Sequence, residues 1–334
     1  MRRRLSFVAP GEVELERAER PTPGRNQLRV ETTVSAISSG TELLIYRGEA
    51  PERLPIDESL PAFSGRFTYP LRYGYAAVGV VDEVGQDVPE EWAGQRVFAF
   101  NPHESHFLAS PEEVVPVPDG IESQSATLLP LVETAINFVH DGGPRLGERV
   151  AVFGQGTVGL LTTELLTRFP LDQLVAIDPV ETRRKLARRL GVDRAIAPAA
   201  LEEQYDSESE GAGTDLAFEV SGNPEALDDA IHTAGYDGRI VVGSWYGTKE
   251  ATLDLGAEFH RNRITIESSQ VSTVDPALRG RWDADRRLST AWELLEDFDT
   301  EPLITHREPL SNAEIAYERL ADKSDGVVTT LFEY

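Results

Sequence analysis

The chain has 334 residues, 57 acidic against 32 basic side chains for a formal charge of −25, and no cysteine. That length suggests two domains of about 100–200 residues, each able to bury its own core. No apolar run reaches the ~18 residues that would span a bilayer. The acid excess repels nucleic acid and anionic membranes. Without thiols there is no disulfide framework, no thiolate nucleophile and no zinc–sulfur site. The start, Met1-Arg2-Arg3-Arg4, has the charge of a leader peptide, but Pro10 and Glu12 break the apolar stretch behind it. A first strand is expected there, and cytosol is the simplest compartment.

Residues up to about 120 read as strands and turns, with apolar stretches such as Leu28–Val34 and Tyr75–Val84 punctuated by Gly and Pro. Near Ser123 the texture changes to alternating strands and helices. "RVAVFG" (149–154) precedes a helical stretch to Arg168, and "QLVAID" (173–178) precedes another through Leu190. Strands "TDLAFEV" (214–220), "GRIVVGS" (238–244) and "RITIESS" (263–269) follow. This β-α-β alternation predicts an α/β fold with a doubly wound parallel sheet. A helix over Arg286–Phe298 and a closing strand in "GVVTTLFEY" complete the chain, and the acidic patch "EEQYDSESEGAG" reads as a solvated loop.

"VAVFGQGTVG" sets Gly154, Gly156 and Gly159 in a G-x-G-x-x-G at a strand-to-helix turn. The first Gly permits the tight turn, the second lets a pyrophosphate approach the backbone, and the third packs helix on strand. Gln155, Thr157 and Val158 fill the turn. Asp178 closes the next strand, 19 residues past Gly159, where an acid hydrogen-bonds ribose hydroxyls and repels a 2′-phosphate. NAD(H) is therefore expected over NADP(H), with Arg183 and Arg184 close enough to soften the preference.

Only Lys185, Lys249 and Lys323 are lysine. Abundant Arg, Asp and Glu beside so little Lys resembles proteins of salt-accumulating halophiles, whose self-repelling surfaces are screened in molar salt by a Debye length of ~3 Å. The acidity then says little about the substrate.

The whole chain resembles a medium-chain dehydrogenase/reductase of the alcohol dehydrogenase type, on "SSGTELLIYRG" (38–48), "YGYAAVGVVDEVG" (73–85), "GQRVFAF" (94–100), the Gly-rich turn and "FEVSGNPEAL" (218–227), in family order. The resemblance implies a GroES-like β-rich catalytic domain, residues 1–130 completed by 271–334, with a Rossmann domain at 131–270. Zinc members carry ligands where this chain has Ser39, Tyr75, Ala76 and Leu129, so catalysis without zinc is expected. "SxGTE" with "GYxxVGxVxEVG", "EFHRNRITIESSQVS" and "RW" resemble a zinc-lacking branch that includes the bacteriochlorophyllide-type dehydrogenases.

The resemblance nominates further site residues. Thr41 matches the hydroxyl that relays the alcohol proton. Tyr75 stands where a zinc-binding His would be, either filling the vacated volume or holding the substrate oxygen. Asn101, His103 and His106 fall on the cleft segment. His103 reads equally as a loop cap or as a general acid/base, and the pair His103 and His106 with Glu104 admits a metal reading that lacks a supporting third ligand. Glu133 and Thr134 are expected near the nicotinamide, with a helix-terminus carboxylate as the alternative for Glu133. Val220, Ser221, Gly222, Val242, Ser244 and Ser268 are expected along the cofactor, and Tyr246 with Trp245 in the substrate pocket.

Three functions are weighed. The first is a zinc-independent, NAD(H)-dependent oxidoreductase interconverting a secondary alcohol and a ketone. The second is an NADPH-dependent quinone or enone reductase, and the third a non-catalytic NAD(H)-binding module. The partner is a small molecule, and a homodimer or homotetramer is expected through an edge strand near "GRIVVGS".

Overall fold

Strand β3 (Leu28–Ala36) organises the first half of the molecule, because its buried Leu28, Val30 and Val34 alternate with more exposed neighbours and set one face toward a core. The structure, a computed structural model, describes residues 1–56, 65–205, 213–322 and 326–334. It divides into a first unit of Met1–Pro130 with Trp292–Tyr334 and a second of Leu131–Ala291. In the first unit, β1 (Arg2–Ala9) and β2 (Glu12–Ala18) form an antiparallel pair. After β3 comes helix α1 (Ser39–Tyr46), then β4 (Ala77–Val84), β5 (Arg96–Ala99), β6 (His106–Ala109) and β7 (Val114–Pro116). Leu28, Val30, Ala77, Val81, Val97 and Phe107 pack as one core cluster between these strands.

Helices α2 (Ser123–Ala126) and α3 (Leu129–Gly142) lead into the second unit. There β8 (Arg149–Phe153), α4 (Thr157–Leu166), β9 (Gln173–Ile177), α5 (Glu181–Leu190), β10 (Arg194–Ile196), α6 (Leu201–Gln204), β11 (Thr214–Glu219), α7 (Pro224–Thr233), β12 (Ala234–Val242), α8 (Glu258–Arg261) and β13 (Thr265–Ser268) follow. The strands make a six-stranded sheet in the order β10-β9-β8-β11-β12-β13, every pairing parallel. Val150 to Phe153 are all buried, as a central parallel strand covered on both faces requires.

Helix α9 (Ala284–Asp297) leads into β14 (Ile304–Pro309), α10 (Ala313–Ala321) and β15 (Thr329–Glu333), which return to the first unit. The sheet order there is β14-β15-β3-β4-β5-β7, and β6 pairs with the other end of β3. Among the described residues no helix is long and apolar enough to cross a membrane.

Four features differ from the sequence reading. Residues 39–46 are helical, because Leu44, Ile45 and Tyr46 are all buried in succession and leave no helical stripe in the sequence. Residues 271–291, expected with the first unit, group with the second, where Arg287 on α9 binds Glu133 and Asn137 of α3. "GRIVVGS" lies on β12, inside the sheet, and the edge strands are β10 and β13. Of the acidic patch, Glu202–Gln204 are helical, and 206–212 lie outside the described residues.

Phe332 on β15 is fully buried, edge-on to His103. Phe332→Ala is expected to cost about 3–5 kcal/mol, measured by urea unfolding, because the cavity opens beneath the strand that joins β14 to β3.

Candidate active site

Glu42 is an acidic residue with no exposure to solvent. A carboxylate in that position must find its hydrogen bonds inside the protein. Its Oε1 accepts the backbone N–H of Ser38 at 2.7 Å, fixing the first turn of α1. Its Oε2 lies 3.0 Å from His103 Nε2 and accepts the Tyr317 hydroxyl of α10. His103 is itself fully buried, and its Nδ1 lies 2.7 Å from Ser35 Oγ, which lies 2.8 Å from the hydroxyl of Tyr334. Facing a carboxylate, Nε2 carries hydrogen. The contacts form one chain from Tyr334 through Ser35 and His103 to Glu42.

This network lies next to Tyr75. Gly74 has φ +118, and a Cβ on it would sit 2.7 Å from the His103 ring, so the backbone entering Tyr75 packs directly on the imidazole. The Tyr75 hydroxyl bonds Ser38 Oγ and also Thr41. Burial pushes the phenol up, against the pull of the Ser38 and Thr41 bonds, and the Glu42 charge adds to the rise. Tyr75 is therefore a neutral donor at physiological pH, with two hydroxyls beside it. Ser38 was not singled out from the sequence; only the position preceding the helix could have marked it.

At the remaining positions expected for zinc, Ala76 and Leu129 are buried apolar side chains and Ser39 is a half-buried hydroxyl. Asn101 is buried and donates to Pro102 O and Glu104 Oε1, so its amide supports the loop that Arg2 also clamps through Glu104. His106 turns to other partners: Ser105 on one ring nitrogen, Glu31 and Asp82 near the other.

In the second unit the glycines act as their spacing implies. Gly154 has φ +96, and a Cβ there would come within 2.5 Å of the Ser221 backbone. A Cβ on Gly159 would come within 1.9 Å of Gly154 O, whereas one on Gly156 meets nothing within 4 Å. The turn is closed at its ends and open at its centre, above the first N–H groups of the ten-residue α4. That is the shape and polarity of a pyrophosphate cradle, and the residues fit a dinucleotide. Gln155 points inward, bonded to Val152 O and Thr163, and Thr157 and Val158 begin α4.

Asp178 is nearly buried, and each of its oxygens accepts a backbone N–H, from Gln155 at 2.7 Å and from Val180 at 2.8 Å. Arg183 lies 3.8 Å from Oδ2, and Arg184 caps the Asp178 carbonyl. The carboxylate thus holds the glycine turn and keeps lone pairs for a further donor. A second buried acid, Glu219, ends β11 and accepts Ser221 N–H, Ser221 Oγ and the Tyr246 hydroxyl. Burial and Glu219 together push the Tyr246 phenol far up. Tyr246, expected in the substrate pocket, therefore braces the loop that carries Val220, Ser221 and Gly222. Ser244 Oγ accepts Gly222 N–H, and Val242 faces Ser268 in the β12–β13 register.

Glu133 accepts Arg287 Nε at 3.1 Å, and Arg287 also donates to Asn137 and Val271 O. Burial raises the Glu133 carboxyl and Arg287 pulls it back. Its main partner is thus a buried guanidinium, and Thr134 follows on the same helix, partly buried.

His140, against Trp282, is held below its ordinary range by burial and by Arg287, Arg286 and Arg281. The unfolded chain takes up this proton near pH ~6.5, the folded chain only at lower pH, so stability is lost as pH falls below about 6.5. His140→Gln is expected to narrow the gap between urea midpoints at about pH 7.5 and 5.

Residues 157–290 match the family model described as zinc-binding dehydrogenase. D-guloside 3-dehydrogenase of Escherichia coli is 24% identical over 96% of this chain and 96% of its own. (R,R)-butanediol dehydrogenase of Bacillus subtilis is 27% identical over 79% of this chain and 81% of its own. The B. subtilis 2R,3R-butanediol dehydrogenase structure superposes with a TM-score of 0.79 at 19% identity, covering 100% of both chains. An E. coli alcohol dehydrogenase solved with NADH gives 0.79 at 19% identity, covering 100% of this chain and 99% of that one. At these identities the likeness to the solved structures is one of fold.

Proposed function

Starting from its place in the medium-chain, alcohol dehydrogenase-like superfamily and its nature as an oxidoreductase, we propose that this chain interconverts a secondary alcohol and a ketone with NAD(H) and without catalytic zinc. The observation that carries the reading is the Tyr75 phenol held by Ser38 and Thr41, at a position where the family resemblance expects a metal ligand. A hydroxyl, a phenol, a methyl and an isobutyl group at 39, 75, 76 and 129 are a poor donor set for zinc. Relatives named as dehydrogenases of a guloside, a butanediol and L-threonine support an alcohol as substrate.

With its pyrophosphate held in the glycine cradle, a bound dinucleotide would supply the hydride acceptor or donor through its nicotinamide. Alcohol oxidation also releases the hydroxyl proton, and ketone reduction needs it back. Tyr75 supplies a phenol that donates to the substrate oxygen, and Thr41, which is partly exposed, passes the proton between Tyr75 and solvent water, with Ser38 as the second hydroxyl on the phenol. Glu42 and His103 act as positioning residues, since both are sealed from solvent and fix Ser38 and Gly74. Asp178 supports NAD(H), because its remaining lone pairs can accept ribose hydroxyls while its charge would repel a 2′-phosphate.

Tyr75→Phe is expected to lower kcat/KM by about 10²–10⁴ and to leave NADH affinity unchanged. NADH should bind more tightly than NADPH, and turnover on secondary alcohols should survive a strong chelator. Turnover lost on chelation and restored by zinc would overturn the reading. A preference for NADPH with enones would favour the reductase alternative, and NADH binding without any turnover the binding module.

Adaptation to high salt belongs to the same proposal. It rests on the charge of −25 and on three lysines in the chain. The melting temperature should climb with KCl well beyond ~0.1 M, where screening is already substantial; a flat profile there would remove it. A cytosolic homodimer or homotetramer completes the reading, and the exposed edge strand β13 supports assembly there.

A further inference from the structure

His106 opens β6 and stands opposite Glu31 of β3 in the antiparallel register. Residues directly opposite share a face, and this is the face turned away from the core formed by Val30 and Phe107. His106 is nevertheless buried, at 3% exposure. Its Nδ1 is engaged at 3.0 Å by Ser105 Oγ, which also accepts the N–H of Arg3. That contact fixes the ring. The other nitrogen, Nε2, is buried without a hydrogen-bond partner. It points at Glu31 Oε1, 3.6 Å away and too far for a bond.

Asp82 completes the arrangement from the neighbouring strand. The β3–β4 register pairs Arg29 with Glu83 and Val30 with Val81, so Asp82 is the extra residue of a β-bulge. Nε2 of His106 and one oxygen each of Glu31 and Asp82 lie within 4.8 Å of one another. Arg29 bonds both Asp82 oxygens at 2.9 Å and reaches Glu83, and Arg20 lies 3.9 Å from Glu31. Three carboxylates thus face two guanidinium groups, leaving the locality acidic around a neutral-nitrogen ligand with nothing to bind.

We propose that His106, Glu31 and Asp82 form a binding site for one divalent first-row transition cation of the Zn²⁺ class. One imidazole nitrogen and two carboxylate oxygens suit such an ion better than Ca²⁺ or Mg²⁺, which take oxygen ligands. The Ser105 hydroxyl on Nδ1 supplies the outer hydrogen bond that orients a ligating histidine. Glu31 is exposed and can close from its present spacing, Asp82 would give up one of its two Arg29 bonds to the ion, and water fills the remaining positions. The ion would cross-link β6, β3 and β4, and it involves none of residues 39, 75, 76 and 129. It is a stabilising site, separate from the question of zinc in the reaction.

The test is a titration of chelator-stripped protein with Co²⁺ followed by visible absorption, then displacement by Zn²⁺ followed by calorimetry. One Co²⁺ per chain, a visible band and complete displacement by Zn²⁺ are expected. His106→Gln should lose the band, with circular dichroism confirming its fold. Glu31→Gln changes an exposed side chain and should weaken binding at least about tenfold. Absence of stoichiometric binding, or binding undiminished in the folded His106→Gln or Glu31→Gln variant, would overturn the site. These readouts are independent of turnover, so their failure leaves the dehydrogenase reading untouched.

Discussion

One desolvated carboxylate sets the geometry of the first unit. Glu42 can stay buried only because three donors converge on it: the Ser38 backbone of its own helical turn and, from distant parts of the chain, the His103 ring and the Tyr317 hydroxyl. Removing any one leaves charge or polarity unpaired inside the fold, a cost that exceeds what the bond itself contributes. The same bonds place Ser38 Oγ against Tyr75 and pack His103 under Gly74. The chemistry assigned to Tyr75 therefore depends on groups that never meet solvent.

The second unit repeats the device with different parts. Asp178 follows β9 and Glu219 ends β11, and each spends its oxygens on the loop that follows a strand. Asp178 holds the glycine turn through Gln155, and Glu219 holds Ser221, which packs on Gly154. The protein's own bonds thus fix the turn, and a turn so held has less ordering entropy to lose on binding.

The layers of the fold were legible where burial is uniform. Val150–Phe153 and Leu216–Phe218 are apolar runs closed by Gly or turn residues, and a parallel strand covered on both faces has no other way to look. The glycine turn was legible for the same reason: its spacing encodes close approaches that only a missing Cβ allows. Helix α1 was hidden because it is buried on successive residues. The network around Glu42 was hidden because Tyr317, which bonds Glu42, and Tyr334, which bonds Ser35, lie nearly three hundred residues away in sequence. His103 and His106 looked like a pair at a spacing of three, yet one precedes β6 and turns to Glu42 while the other begins the strand and faces Glu31. Spacing along a chain says little where a loop passes into a strand.

The first unit is interrupted in sequence: β3 borders β15, and Ser35 meets Tyr334 across almost the whole chain. The second unit, by contrast, is one continuous stretch, Leu131–Ala291. Its strands connect mainly to near neighbours, so it can condense while the first unit still lacks its border strand. Once condensed, it brings the flanking segments together and shortens the loop that β15 must close to reach β3. On this topology the second unit is expected to condense from its own continuous stretch, while the sheet of the first unit waits for β15 to reach β3.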